Sequence, residues 1–217
     1  MKGRSALVAS TVGSVNSTAS RSPDSLQSEE VAAWRRRWQE GNTPWNLGQA
    51  APELVTVLSA WRTAGRVLVP GCGHGHEVSL LQDLGWDAVG LDVAPEALAA
   101  ARQRDPRPQW HCGDVLNPPP TWQATFDLVL EHTCFCALPP RCRQTYGQAV
   151  TNLLRPGGTF LGLFWCHSRP DGPPFGSTPE ELKLCFGRAL ELIILRRAQR
   201  SVEDRCGEEW LGHWQKP

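Results

Sequence analysis

Between residues 66 and 214 the chain alternates short apolar runs with longer segments whose apolar residues recur every three or four positions. Short runs of this kind predict buried strands, and the longer period predicts helices that pack on a sheet. The predicted strands cover residues 66–70, 88–92, 109–111, 126–131, 159–166, 190–198 and 209–214. The predicted helices between them cover residues 75–84, 95–104, 140–154 and 178–186. This alternation indicates an α/β fold with a doubly wound, mostly parallel sheet of seven strands, closed by a hairpin.

Two further helices are predicted ahead of the first strand. Ser28, followed by two acidic residues, suits the start of a helix that runs to about residue 39. Trp34 and Trp38 are four positions apart in it, so they share one face. A second helix is predicted over 50–61, with Pro52 in its first turn.

The first strand runs directly into glycines at alternate positions, Gly71, Gly73 and Gly75, and then into a helix start. Glycine allows positive φ and a close approach of the backbone to a ligand, and the N–H groups of a helix start favour acceptor atoms. Asp92 ends the second strand about twenty residues later, where a carboxylate accepts hydrogen bonds from ribose hydroxyls. The pattern predicts a nucleotide-cofactor site. Two alternatives remain at this point: a nicotinamide site, although its spacing is G-x-G-x-x-G, and a tight turn without a ligand.

Other polar residues also follow predicted strands. In a doubly wound sheet the ligand lies beyond the carboxyl ends of the strands. Asp114 and Val115 follow the third strand, where they suit a hydrogen bond to an adenine amine and a contact with its ring. Glu131 and His132 follow the fourth strand, near the expected amino-acid end of the cofactor or the acceptor. Plain structural roles remain open, with Asp114 as a turn cap and Glu131 as a surface acid.

Composition narrows the classes of function. The 22 basic and 22 acidic residues balance, which argues against nucleic acid or an anionic membrane as the main partner. No run reaches the roughly 18 apolar residues of a membrane helix. The eight cysteines lack paired C-x-x-C spacing, so we expect reduced thiols in a cytoplasmic protein, and no metal site.

We expect a monomer that acts on a small molecule. We expect residues 1–28 to be a disordered or targeting-like tail, or the result of a wrong start site, and residues 29–217 to form one domain.

Several segments together resemble the thiopurine S-methyltransferase family, which includes the halide, thiocyanate and thiol methyltransferases of plants and bacteria. They are the Trp-rich segment 34–48, the glycine turn 69–75, the segment 131–139 with sequence EHTCFCALP, and the closing segments 172–175 and 209–214. The Trp-rich segment is the specific part, because the glycine turn and Asp92 alone indicate only a class I S-adenosylmethionine-dependent methyltransferase. The resemblance spans residues 29–217.

The resemblance implies a class I, Rossmann-like fold with an N-terminal helical lid over S-adenosylmethionine, the methyl donor. It implies cofactor-binding roles for Trp34, Trp38, Trp45, Gly71, Gly73, Asp92, Asp114, Val115 and Glu131. His132 stands where the family often has an aromatic residue; because it lies near the expected entry of the acceptor, it is a candidate for the acceptor side. The implied reaction moves a methyl group to a small soft nucleophile: a thiol, bisulfide, thiocyanate, halide or thiopurine-like sulfur. The alternatives are methylation of oxygen or nitrogen, with His132 or Glu131 as base, and cofactor binding without catalysis.

Overall fold

The computed structural model describes residues 25–217, and residues 1–24 lie outside the described part of the chain. Most of the predicted tail therefore lies there too, and its assignment stays a prediction. Leu26, two positions ahead of the predicted boundary at residue 28, is 3% exposed and packs in the core.

The described chain forms six α-helices and seven strands. The helices are α1 (Ser28–Gln39), α2 (Pro52–Ser59), α3 (His76–Asp83), α4 (Pro95–Arg104), α5 (Arg143–Leu153) and α6 (Pro179–Phe186). The strands are β1 (Arg66–Pro70), β2 (Asp87–Asp92), β3 (Gln109–Cys112), β4 (Phe126–His132), β5 (Leu154–Trp165), β6 (Glu191–Arg197) and β7 (Glu209–Gln215). Every predicted helix and strand is present, with small shifts at the ends.

The strands form one sheet in the order β3-β2-β1-β4-β5-β7-β6. Strands β1 to β5 run parallel to one another, whereas β7 runs antiparallel to both β5 and β6. This confirms the doubly wound, mostly parallel, seven-stranded sheet with its closing hairpin. The chain moves outward from β1 to β3 and then returns to β4. The ends of β1 and β4 therefore form the switch point at which such sheets bind ligands.

Helices cover both faces of the sheet. The core on one face contains Leu54 of α2, Leu81 of α3 and Leu98 of α4. The core on the other face contains Tyr146 of α5 and Phe186 of α6, together with aromatic residues of β5 and β7. Both cores are closed to solvent, so the strands are held rigidly and their carboxyl ends have fixed positions.

The start of α1 agrees with the prediction, whereas the start of β5 differs from it. α1 begins at Ser28, with Gln27 as its N-cap; Gln27 forms a capping box with Glu30, whose carboxylate accepts a hydrogen bond from the Gln27 N–H at 2.8 Å. β5 begins at Leu154 and not at residue 159, because residues 154–158 continue beside β4 across an irregularity in the register.

Candidate active site

A cavity of about 290 Å³ opens where β1, β2, β3 and β4 end. Eight of the predicted site residues line it: Trp34, Trp38, Trp45, Gly71, Gly73, Asp92, Asp114 and Val115. The structure therefore brings together residues that lie between positions 34 and 115 of the sequence. Glu131 and His132 are not among the residues that line this cavity.

The glycine turn has the backbone conformation that its sequence predicts. Gly71, Gly73 and Gly75 have φ values of 57°, 52° and 71°, in the left-handed region that glycine adopts without strain. A Cβ atom on Gly71 would lie 2.9 Å from both Cβ and Sγ of Cys134, so that position has no room for a side chain. Gly75 is the N-cap of α3, and the helix start therefore faces the turn.

Asp92 holds the glycine turn through its carboxylate. One oxygen, Oδ2, accepts a hydrogen bond from the Gly73 N–H at 3.0 Å, and Oδ1 accepts one from the Ala94 N–H at 2.9 Å. Burial raises the pKa of Asp92, and these backbone hydrogen bonds act against that rise. Each carboxylate oxygen has further acceptor capacity, so the group is able to accept ribose hydroxyls at the cavity wall.

The turn after β3 supplies an apolar wall with one acid. Val115 is 5% exposed, and Leu91 from β2 lines the cavity beside it. Asp114 Oδ1 accepts a hydrogen bond from the Leu116 N–H at 2.9 Å, which fixes the turn. Asp114 thus caps its own turn, as the purely structural alternative predicts, and it also lines the cavity.

The N-terminal segment contributes three tryptophans to the wall of the cavity. The ring centroids of Trp34 and Trp45 are 5.3 Å apart and those of Trp38 and Trp45 are 6.1 Å apart, both in edge-to-face geometry. Trp38 also lies 4.5 Å from the ring of His74 in the glycine turn. Edge-to-face pairs are stable arrangements of aromatic rings, so the three tryptophans form one aromatic cluster over the glycine turn. We call this cluster the tryptophan lid.

Polar contacts hold the tryptophan lid to the rest of the domain. Arg35 and Gln39 of α1 donate hydrogen bonds to the Glu96 carboxylate of α4, at 3.0 and 2.7 Å. The hydrogen bond from Arg35 is the main reason that the pKa of Glu96 falls to about 2. Asn46 Oδ1 lies 2.9 Å from His76 Nε2, which joins the loop after α1 to the first turn of α3. These contacts set the position of the lid at both ends.

Glu131 lies beneath the cavity and not on its wall. Its side chain is buried and accepts hydrogen bonds from the Phe135 N–H, at 2.8 Å, and from the Tyr146 hydroxyl. Burial raises its pKa, and the hydrogen bond from Phe135 acts against that rise. Glu131 therefore anchors the loop that follows β4, and residues 133, 134 and 136–138 of that loop line the cavity in its place.

His132 lies in a chain of buried charged groups. Its Nδ1 is 2.8 Å from a carboxylate oxygen of Glu77 on α3, and its Nε2 is 3.4 Å from Nη1 of Arg205. Burial lowers the pKa of His132, but the Glu77 carboxylate more than offsets this, so the net shift is upward. Both ring nitrogens of His132 thus contact other side chains. The residue lines a smaller neighbouring cavity of about 40 Å³.

Arg205 is the main site residue that the sequence did not indicate. It is 4% exposed, lines the main cavity, and lies 4.7 Å over the ring of Trp165. Glu209 lies 3.5 Å from its guanidinium, and the carbonyl of Trp45 lies at the same distance. Further lining residues without a predicted role are Leu26, Arg37, Pro44, Leu47, Leu138, Trp165, Pro173, Pro174, Val202 and Asp204.

Among the described residues, no three side chains of the metal-binding types come together as a metal site. Nor does any described helix have the length and apolar character needed to cross a membrane. All eight cysteines lie in the described range, and all are free thiols.

Comparison with known proteins agrees with this geometry. The chain is 32% identical to "Thiocyanate methyltransferase 1" of Arabidopsis thaliana over 197 residues, covering 86% of each protein. It is 33% identical to "Probable thiol methyltransferase 2" of the same plant, over 88% of each. Among solved structures, the 1,6-didemethyltoxoflavin-N1-methyltransferase of Burkholderia thailandensis has a TM-score of 0.68 at 21% identity, over 86% of each chain, which shows the same fold.

A model of the family described as thiopurine S-methyltransferase (TPMT) matches residues 29–212, most of the described chain. The match confirms the resemblance carried by the Trp-rich segment and the glycine turn, and with it the prediction of S-adenosylmethionine as methyl donor. The chain belongs to the thiopurine S-methyltransferase family and is an S-adenosylmethionine-dependent methyltransferase.

Proposed function

We propose that this enzyme methylates a small soft nucleophile: a thiol, bisulfide, thiocyanate, halide or thiopurine-like sulfur. The observation that carries the proposal is the position of Arg205, a buried guanidinium 3.5 Å from Glu209, in the wall of a cavity whose lining is mostly apolar and aromatic but also includes Arg37, Asp92, Asp114 and Asp204. A cation in a site of low polarity attracts a small anion more strongly than it does in water. Relatives named as thiocyanate and thiol methyltransferases support the same acceptor class.

The cavity residues fit the methyl donor. Its adenine would pack against Val115 and Leu91 with Asp114 beside it, and its ribose hydroxyls would donate to Asp92. At Gly71 no side chain separates the backbone from the cofactor, and none fits there, because a Cβ would lie 2.9 Å from Cys134. When bound, S-adenosylmethionine supplies a methyl group activated by the positive charge of its sulfonium.

The tryptophan lid would stabilise that positive charge. An aromatic face contributes about 0.5–2 kcal/mol to a nearby cation, more when water is excluded. The lid residues Trp34, Trp38 and Trp45 all line the cavity. They would therefore provide aromatic faces to the sulfonium and exclude water from it.

Methylation of these acceptors requires alignment of the two reactants more than it requires proton transfer. Thiolate, bisulfide, thiocyanate and halide are anions near neutral pH and need no base. His132 and Glu131, the candidate bases for an oxygen or nitrogen acceptor, already hydrogen bond within the protein and do not line the main cavity. We therefore assign His132 a positioning role through Arg205, and Glu131 a positioning role through the loop after β4. Holding donor and anion close together in line would account for most of the rate enhancement.

A reducing compartment suits the chain, and we propose the cytoplasm as its location. The eight cysteines are free thiols, five of them buried. Disulfides are rare in that compartment, whereas secreted proteins commonly use them.

The test combines cofactor binding with product detection. Calorimetry should show that S-adenosylmethionine binds the full chain, and that Trp45→Ala weakens this binding about tenfold. Trp61→Ala is the matched control, because Trp61 lies outside the cavity and packs near His213. Sulfide, iodide or thiocyanate is then added and the methylated products are measured by gas chromatography.

Methanethiol, iodomethane or methyl thiocyanate, with turnover that falls in an Arg205→Met variant, would support the proposal. Cofactor binding without any of these products would indicate a larger acceptor, or binding without catalysis. In either case the assignment of a small soft nucleophile would be rejected.

A further inference from the structure

Strand β6 forms an outer edge of the sheet. It is last in the strand order and pairs only with β7; no other described strand lies along its outer side. Leu192, Ile193 and Ile194 on this strand are 39%, 45% and 44% exposed. The edge therefore presents both backbone hydrogen-bonding groups and aliphatic side chains to its surroundings.

Such an edge differs from those of most monomeric proteins. An exposed edge strand is a template for pairing with another strand, and natural edges are usually protected by charged side chains, proline or β-bulges. The β6 edge has one bulge, between Leu192 and Ile194, and charged residues only at its ends; the four positions between them, 192–195, are all aliphatic. A surface of this kind favours a partner strand.

The register with β7 shows which side chains of β6 share a face. Leu192 pairs with Trp214 and Leu195 pairs with Gly212, two positions apart on β7. Alternate positions of a strand point to the same face, and the bulge at Ile193 brings Leu192 and Leu195 onto that face together.

The charged residues at the two ends of this aliphatic run share the opposite face. Glu191 pairs with Gln215 and Arg196 pairs with Leu211, which are four positions apart on β7. The Arg196 side chain is 35% exposed, although it also bridges to Glu53 at 2.7 Å. An acid thus precedes the aliphatic run and a base follows it, on one face.

We propose that two copies of this chain pair antiparallel through β6, around a two-fold axis between Ile193 and Ile194. In this register Glu191 of each copy lies opposite Arg196 of the other, and Leu192 of each copy lies opposite Leu195 of the other. The two members of each pair lie on the same face of the sheet. Acid lies opposite base only when the two strands run antiparallel. Cross-strand pairs of opposite charge and of aliphatic side chains both stabilise a sheet. The sheet then continues from one copy into the other, unlike the monomer expected from the sequence.

Sedimentation velocity on the full-length protein tests this directly. Across the micromolar range the protein should be a reversible dimer. Glu191→Lys, which places lysine opposite Arg196, and Leu192→Lys should each weaken dimerisation by about tenfold or more. Leu184→Lys is the matched control: Leu184 is 68% exposed but lies on α6, so this variant should leave the dimer unchanged.

Hydrogen exchange provides a second measurement that needs no variant. Backbone amides of residues 191–197 that point outward should exchange slowly at high protein concentration and quickly on dilution. A wild-type protein that stays monomeric would overturn the proposal, as would a dimer that Glu191→Lys and Leu192→Lys leave intact. Slow exchange at every concentration in a monomer would show that another part of the same chain covers the edge, which also overturns it.

Discussion

The Nε2 atom of His132 lies 3.4 Å from Nη1 of Arg205, and both side chains are buried. A guanidinium group only donates hydrogen bonds, so this contact is a hydrogen bond only while Nε2 carries no proton. The ring proton then lies on Nδ1 and points to the Glu77 carboxylate, 2.8 Å away. In this neutral tautomer, which is the form present above the raised folded-state pKa of His132, the ring orients Arg205, a wall residue of the main cavity, and both ring nitrogens are engaged.

Replacing His132 therefore tests the acceptor end. His132→Phe removes the acceptor for Arg205, and we expect the KM for iodide or thiocyanate to rise about tenfold with a smaller change in kcat. His132→Gln should keep most of the wild-type KM, because its amide is able to donate to Glu77 and accept from Arg205. Steady-state kinetics with each anion measure both constants.

Cofactor affinity is the control for that experiment. S-adenosylmethionine should bind both His132 variants about as tightly as it binds the wild type, since His132 does not line the main cavity. Equal losses in the two variants, or a loss of cofactor binding alone, would rule out a role through Arg205.

The Glu77–His132 pair should make stability depend on pH. Burial would raise the pKa of Glu77, but His132 more than offsets this and the pKa falls to about 2. The stability from this carboxylate is thus present above its ordinary value of 4.5 and lost as the pH falls towards 2. The raised pKa of His132 has the opposite sign: its contribution is present below 6.5 and lost as the pH rises through the folded-state pKa.

Glu77→Gln removes both contributions. We expect the difference in free energy of unfolding between wild type and Glu77→Gln to be largest between pH 4.5 and 6.5, and to shrink on either side. Urea unfolding at a series of pH values measures it. A difference that is constant with pH would mean that the pair is not ionised in the folded protein.

Local sequence was sufficient to predict one half of the site. Gly71 and Gly73 lie in the turn after β1 and Asp92 ends β2, and a parallel sheet brings strand ends to one edge whatever the rest of the chain does. Local pattern alone could not predict a role for the tryptophans at the site, because Trp34 and Trp38 at helical spacing also suit an ordinary packed helix face. Only the resemblance of the whole segment 34–48 indicated a lid.

The other half of the site depends on tertiary contacts. Glu131 and His132 were correctly placed at the end of β4, but adjacent strand residues point to opposite faces. Glu131 therefore reaches Tyr146 on one face of the sheet, and His132 reaches Glu77 on the other. Arg205 lies in the connection between β6 and β7, and its burial depends on groups from several distant segments, which no local pattern records.

Two glycines with the same backbone conformation separate strain from crowding in the turn. Gly75 and Gly85 have φ values of 71° and 87°, but a Cβ on Gly75 would lie 2.3 Å from the Trp110 ring, whereas nothing lies within 4 Å of one on Gly85. Gly85→Ala should destabilise the protein by about 1–2 kcal/mol through backbone strain alone. Gly75→Ala should add roughly 1–3 kcal/mol for displacing Trp110. Urea unfolding of both variants gives the two values, and equal values would show that Trp110 moves freely.

Asp92 offers the sharpest test of the cofactor end, because both of its carboxylate oxygens accept backbone hydrogen bonds, from Gly73 and Ala94. Asp92→Asn puts an NH₂ group against one of these N–H donors and removes the charge that would accept ribose hydroxyls. We expect the affinity for S-adenosylmethionine to fall about ten- to a hundredfold, or roughly 1.4–2.8 kcal/mol. Calorimetry at a temperature where circular dichroism shows the variant fully folded measures this loss separately from stability.

Asp87→Asn is the control for this experiment. Asp87 is an exposed acid at the start of the same strand, so this variant should bind the cofactor as the wild type does. Unchanged affinity in a folded Asp92→Asn variant would exclude the ribose contact and leave Asp92 with the glycine turn alone.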